Sequence, residues 1–125
     1  MILGIGIDLC PISRMAQAIS RHGGRFEARV FTAAERAYCN ERGQPAQHFA
    51  ARFAAKEALL KALLVPPGLS WHELEVQSAG GAPRLVLSGE AARAAARLGV
   101  DTLHLSLSHG GDMAAAVVVA ERRAT

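Results

Sequence analysis

The first nine residues constrain the fold more than any other stretch. Ile2, Leu3, Ile5, Ile7 and Leu9 are apolar and are interleaved with Gly4, Gly6 and Asp8. The pattern predicts a β-strand with small residues on one face, ending at an acid. An acid that closes an apolar strand is costly to bury without a partner. Asp8 therefore reads either as an N-cap or turn acid for the helix that follows, or as a ligand for a hard metal ion. The same segment lacks a basic region and reaches its acid too soon for a secretory signal. No apolar run approaches the ~20 residues of a membrane helix. The expectation is a cytoplasmic protein without membrane contact.

The remaining chain reads as one domain, residues 1–125, with half of its residues hydrophobic and so able to build a core. Pro11 opens a helix at its first position, and Gly23-Gly24 ends it. Thr32 and Glu35 form a capping box, so a helix follows from about Ala33 to Arg42. Gly43-Gln44-Pro45 breaks it, and the next helix runs from about Ala46 to Leu64 until Pro66-Pro67-Gly68. Leu74 to Gln77 and Arg84 to Leu87 are strands of a hairpin around Gly80-Gly81. Glu90 to Leu98 is an alanine-rich helix closed by Gly99. Leu103 to Ser108 alternates, with Leu103, Leu105 and Leu107 on one face and His104, Ser106 and Ser108 on the other. His109 to Asp112 reads as a turn into a last apolar strand, Ala114 to Ala120. The fold class is α+β, with helices packed on a mainly antiparallel sheet.

Charge narrows the function classes. The net charge is +3, and the fourteen basic side chains include just two lysines, Lys56 and Lys61. Arginine suits carboxylate and phosphate partners. In the helix after Pro11, Arg14 and Arg21 share one side, opposite Ile12, Met15 and Ile19. This stripe is either a solvated face or a docking surface for an acidic helix or a phosphate backbone. Arg25 extends the stripe only if helix continues through Gly23-Gly24. Aromatics are 5% of the chain, too few for the stacking platforms of a nucleic-acid binder. Cys10 and Cys39 form neither a CxxC pair nor a disulfide framework.

The densest chemistry lies in Arg52-Phe53-Ala54-Ala55-Lys56-Glu57-Ala58-Leu59-Leu60-Lys61. Glu57 and Lys61 are four apart and share a helix face, as do Arg52 and Lys56. Spacing alone favours a solvated face with an intrahelical salt bridge worth ~0.3–0.5 kcal/mol. The functional alternative pairs Glu57 with Asp8. A strand-end Asp and a mid-helix Glu suit Mg²⁺, which takes one or two carboxylates and completes its shell with water and phosphate oxygens. Lys61, one turn on, would then reach a phosphate. Ser106-Leu107-Ser108-His109 lacks the strand–turn–helix elbow of a serine hydrolase. There is no P-loop, GxGxxG or HExxH.

Four stretches carry a family resemblance. They are Gly4-Ile5-Gly6-Ile7-Asp8 running on to Ile12-Ser13-Arg14; Phe31-Thr32 with Glu35 and Tyr38-Cys39; Arg52 to Ala58 with Lys61-Ala62-Leu63; and Ser106-Leu107-Ser108-His109 leading to Ala114. In this order they resemble the holo-acyl-carrier-protein synthase family, the small phosphopantetheinyl transferases of bacterial fatty-acid synthesis. The resemblance implies transfer of 4′-phosphopantetheine from coenzyme A to a serine of apo-acyl carrier protein, releasing adenosine 3′,5′-bisphosphate. It implies that Asp8 and Glu57 ligate Mg²⁺ and that Lys61 lies near the phosphates. Arg52 and His109 match positions lining the coenzyme A site, and Arg14 and Arg21 lie where the family docks the carrier. The serine proton would pass to a metal-bound water or to Glu57. A homotrimer with active sites between subunits is also implied. Two competing functions are a non-catalytic basic module binding acidic protein or nucleic acid, and a metal-dependent phosphohydrolase.

Two departures from the family pattern stand out. The family usually has glycine after the segment ending in Leu63, where this chain has Leu64-Val65-Pro66-Pro67-Gly68. After His109 the family often carries an acid, where this chain has Gly110.

Overall fold

The structure, a computed structural model, describes residues 1–64, 68–78 and 80–123. Strand β1 (Ile2–Pro11) leads into helix α1 (Ile12–Arg21). Helices α2 (Arg25–Val30), α3 (Ala33–Asn40) and α4 (Pro45–Leu63) follow. A 3-10 turn, Trp71–Glu73, precedes β2 (Leu74–Gln77) and β3 (Arg84–Leu87). Helix α5 (Gly89–Leu98) and strands β4 (Thr102–Gly110) and β5 (Met113–Glu121) complete the chain. The antiparallel strands β1, β5 and β4 form one sheet in that order, and β2 and β3 form a second.

Helix α4 is the centre of the molecule. It crosses β1 and β5 and touches α1, α3 and β2. Its alanines keep it thin: Ala50, Ala54, Ala55 and Ala58 are fully buried. Neighbours therefore close around most of it, and the Arg52/Lys56 side, which spacing alone assigns to solvent, is buried. Arg52 is 3% exposed and Lys56 is 0% exposed. Phe31 and Phe49 pack at a tilt with 4.8 Å between ring centroids, and Leu59, Leu63, Leu74 and Val118 are among the other core residues.

A fully buried lysine needs partners on every donor. Lys56 Nζ donates to Glu35 Oε1 at 2.7 Å and to the Val30 and Trp71 carbonyls at 3.0 Å. Glu35 also accepts from the Thr32 and Val76 amides, both at 2.8 Å. The expected capping box of α3 thus serves two purposes, because its glutamate is also the buried counter-ion of α4.

Some boundaries differ from expectation. Pro11 is the last residue of β1 and the N-cap of α1, not its first helical residue. The cap is supplied from far along the chain, by Asp112. Its carbonyl accepts from the Ile12 amide at 2.7 Å, and its carboxylate accepts from the Ser13 amide at 2.9 Å and hydroxyl at 2.5 Å. The β4–β5 turn therefore does carry an acid, placed three residues beyond His109 and used to hold α1. Strand β4 continues through His109 and Gly110, so His109 is a strand residue and Gly111-Asp112 is the turn. Helix α2 was not expected: Gly24, at φ 88°, restarts the chain after α1. Arg25 thus belongs to α2 and does not extend the arginine stripe.

At the end of α4 the C-cap residue Leu64 adopts φ 52°. This is the left-handed conformation that favours glycine, here adopted by a leucine. Pro66 and Pro67, expected to end this helix, lie outside the described residues.

The sheet has two unlike faces. Gly4, Gly6, Asp8 and Cys10 alternate on the side covered by α4. On the other side Ile5, Ile7 and Leu9 are 61%, 62% and 57% exposed. They lie in register with Val119, Val117 and Ala115, and these in turn with His104, Ser106 and Ser108. The apolar half of the β1 alternation therefore faces outward. None of the described helices is long and apolar enough to cross a membrane.

Candidate active site

Strand β1 delivers Asp8 beneath α4, and α4 brings Glu57 and Lys61 over it. Lys61 Nζ donates to Asp8 Oδ1 at 2.9 Å and to the Ile7 carbonyl at 3.0 Å. The expected Glu57–Lys61 pair along the helix does not form, since the lysine turns to the strand instead. Burial raises the Glu57 pKa above the ordinary carboxylate value, the nearby Asp8 charge raises it further, and Lys61 partly offsets both. Two carboxylates thus lie close enough to repel one another, with a single ammonium beside them.

Such a pair fits a hard divalent cation. Among the described residues no group of three or more His, Cys, Asp or Glu side chains is placed to hold a metal. That set does not fit a closed zinc site, which needs four ligands. It fits Mg²⁺, whose remaining positions go to water and substrate phosphate. Cys10, next along the same face, has its thiol pKa pushed up to about 11 by burial and then by Asp8 and Glu57.

A second group lies in a cavity of about 340 Å³ lined by Tyr38, His48, Arg52, Ser78 and His109 among others. The Arg52 guanidinium sits 4.1 Å from the Tyr38 ring centroid and Arg42 sits 3.5 Å from it. Burial pushes the Tyr38 phenol up, but the two guanidinium groups outweigh it and bring its pKa below the usual value. His48 is held below its usual pKa by burial, then by Arg52, Arg42 and His109. Gln47 Nε2 and His109 Nε2 are 3.2 Å apart. Arg52 donates to Ser78 Oγ at 2.6 Å and to the His48 carbonyl at 3.4 Å, yet its buried Nε has no partner among the described residues. A buried guanidinium with one donor unmet suits an anion.

The comparisons with known proteins bear on this geometry. The model of the 4′-phosphopantetheinyl transferase superfamily matches residues 4–118. The chain belongs to that superfamily. A holo-[acyl-carrier-protein] synthase of Anaeromyxobacter dehalogenans strain 2CP-1 is 51% identical over 97% of both chains. One from Myxococcus xanthus is 46% identical over 98% of this chain and 97% of the relative. Among solved structures, the holo-[acyl-carrier-protein] synthase of Neisseria meningitidis superposes with a TM-score of 0.88 at 30% identity, covering 98% of this chain and 100% of that one. The Helicobacter pylori enzyme in complex with coenzyme A gives a TM-score of 0.80 at 32% identity, over 94% and 99%.

Within this phosphopantetheinyl transferase fold, the sequence-derived residues fall into three places. Asp8, Glu57 and Lys61 come together. Arg52 and His109 share the cavity, which none of the first three lines. Arg14 and Arg21 are exposed on α1, with Met15 buried beneath them. Ser108 and His109 are consecutive strand residues and so face opposite sides of the sheet, which leaves no Ser–His pair. Sequence reasoning missed the roles of Tyr38, Ser78 and Gln47 in the cavity. Arg52 and Tyr38 are fourteen positions apart, with no spacing signal that joins them.

Proposed function

We propose that this chain transfers the 4′-phosphopantetheine arm of coenzyme A to a serine hydroxyl of apo-acyl carrier protein. The products are holo-acyl carrier protein and adenosine 3′,5′-bisphosphate, and the setting is cytoplasmic fatty-acid synthesis. The observation that carries the reading is the Asp8–Glu57–Lys61 arrangement in a chain of this superfamily. The named relatives and the coenzyme A complex of the Helicobacter pylori enzyme support it.

The serine oxygen bonds to the phosphorus that bears the pantetheine arm, and the bond from that phosphorus to the bridging pyrophosphate oxygen breaks. The adenosine bisphosphate leaves with that oxygen, and the hydroxyl proton is lost. Asp8 and Glu57 would hold Mg²⁺, which supplies charge stabilisation on the pyrophosphate oxygens. Lys61, already on Asp8, places an ammonium where negative charge grows on the phosphates. The serine proton would pass to Glu57 or to a water at the site. Arg52, whose buried Nε has no partner among the described residues, and His109 would bind the coenzyme A side of the substrate. Arg14 and Arg21 would meet the acidic carrier and steer its approach.

The same reading includes a homotrimer with active sites between subunits. One feature supports it: the outward row Ile5, Ile7 and Leu9 is an apolar surface for a second copy to cover.

Charge reversal at Arg14 and Arg21, measured by steady-state kinetics, tests the carrier side. KM for apo-carrier should rise while KM for coenzyme A holds. An equal rise in both would remove α1 from carrier docking.

A further inference from the structure

The face of β1 that carries Asp8 meets α4 at unusually short range. A Cβ on Gly6 would overlap the Ala58 carbonyl oxygen and lie 2.9 Å from the Ala62 nitrogen. A Cβ on Gly4 would overlap the Ala62 carbonyl oxygen. The obstacles are helix backbone atoms, which cannot step aside as a flexible side chain would. Ala58 and Ala62 are four apart on one helix face and both are buried. Small side chains on the helix meet glycines on the strand, and the two backbones touch.

The residues at this contact are the immediate neighbours of the site. Ala58 follows Glu57, Ala62 follows Lys61, and Asp8 stands two residues beyond Gly6 on the same strand face. Lys61 reaches both the Ile7 carbonyl at 3.0 Å and Asp8 at 2.9 Å from this position. We infer that the Gly6–Ala58 contact sets the separation of the Asp8 and Glu57 carboxylates, making Gly6 a positioning residue for the divalent cation. The inference rests on the Mg²⁺ reading above and adds to it what fixes the spacing. Mg²⁺ demands near-ideal oxygen positions at roughly 2.0–2.1 Å, whereas Ca²⁺ accepts looser sets at roughly 2.3–2.6 Å. A methyl group at Gly6 pushes α4 off β1, widens the pair and favours the larger ion.

The test is a crystal structure of Gly6→Ala together with calorimetric titration of Mg²⁺ and Ca²⁺ into the full-length protein. The Asp8–Glu57 separation should widen, Mg²⁺ affinity should fall roughly tenfold or more, and preference should move toward Ca²⁺. Leu74→Ala, in the two-stranded sheet, serves as a destabilised control that keeps wild-type Mg²⁺ affinity. If Gly6→Ala does not fold, Gly4→Ala makes the same contact test one helical turn away, with a fall in Mg²⁺ affinity again expected. A folded glycine variant with unchanged separation or with wild-type Mg²⁺ affinity overturns the inference. If the wild-type protein binds neither ion, the Mg²⁺ reading fails instead, while the separation in the crystal still decides whether Gly6 sets the spacing.

Discussion

Lys61 Nζ bridges from α4 to Asp8 Oδ1 on β1 at 2.9 Å. The lysine side chain is 55% exposed and the aspartate 17%. A pair this open to solvent contributes at most about 1 kcal/mol to stability. Lys61→Ala should therefore unfold in urea close to wild type, yet lose roughly 100-fold or more in kcat as charge stabilisation on the phosphates disappears. A variant that is badly destabilised but turns over normally would make Lys61 a structural residue.

Glu57 predicts a conflict between stability and activity. Its folded pKa lies above the ordinary carboxylate value, so the folded state holds this proton more tightly than the unfolded chain. Stability from this group then falls as pH rises from the ordinary carboxylate range through the raised folded pKa. Glu57→Gln removes that cost. At pH 7 the variant should melt at or above the wild-type temperature, and the difference should shrink below the ordinary carboxylate pKa. Added Mg²⁺ should raise the melting temperature of wild type and leave the variant unmoved. A variant less stable than wild type at pH 7 would contradict the assignment.

The Glu35–Lys56 pair is buried on both sides, unlike Asp8–Lys61. Removing one member strands the other charge in the core, at a cost of about 3–5 kcal/mol. Lys56→Met should lose that much in urea denaturation. The double variant Glu35→Gln/Lys56→Met should lose clearly less than the sum of its single changes. Additive losses would mean that the two residues do not act as a pair.

Leu64 stands in left-handed backbone at φ 52° with its side chain 86% exposed. A left-handed conformation costs a residue with a Cβ roughly 1–2 kcal/mol, and glycine nothing. The freer unfolded chain of a glycine variant offsets part of that. Leu64→Gly should gain up to about 1 kcal/mol by thermal unfolding, since almost no packing is lost.

The local signals were legible and the long-range ones were not. The ranges of β2 and β3, the α3 capping box and the bulk of α4 follow from turn residues, paired capping side chains and periodicity, all of which act within a few residues. Strand β1 was legible as a strand, but alternation does not say which face is covered, and Ile5, Ile7 and Leu9 proved to be the outward set. The burial of Lys56 depends on Glu35, twenty-one positions earlier, and spacing along α4 contains nothing of it. Lys61 likewise chose Asp8 over the nearer Glu57 because β1 and α4 pack through glycine and alanine. The family resemblance brought Asp8, Glu57 and Lys61 together before packing did, whereas the Arg52–Tyr38–Ser78 cavity needed the fold.

The most direct measurement is the mass of apo-acyl carrier protein after incubation with this protein, coenzyme A and Mg²⁺. The account predicts a gain of one phosphopantetheine per carrier, abolished by chelation and by Asp8→Ala. An unchanged carrier mass across apo-carriers with intact acceptor serines, from a folded and Mg²⁺-supplied protein, would contradict it.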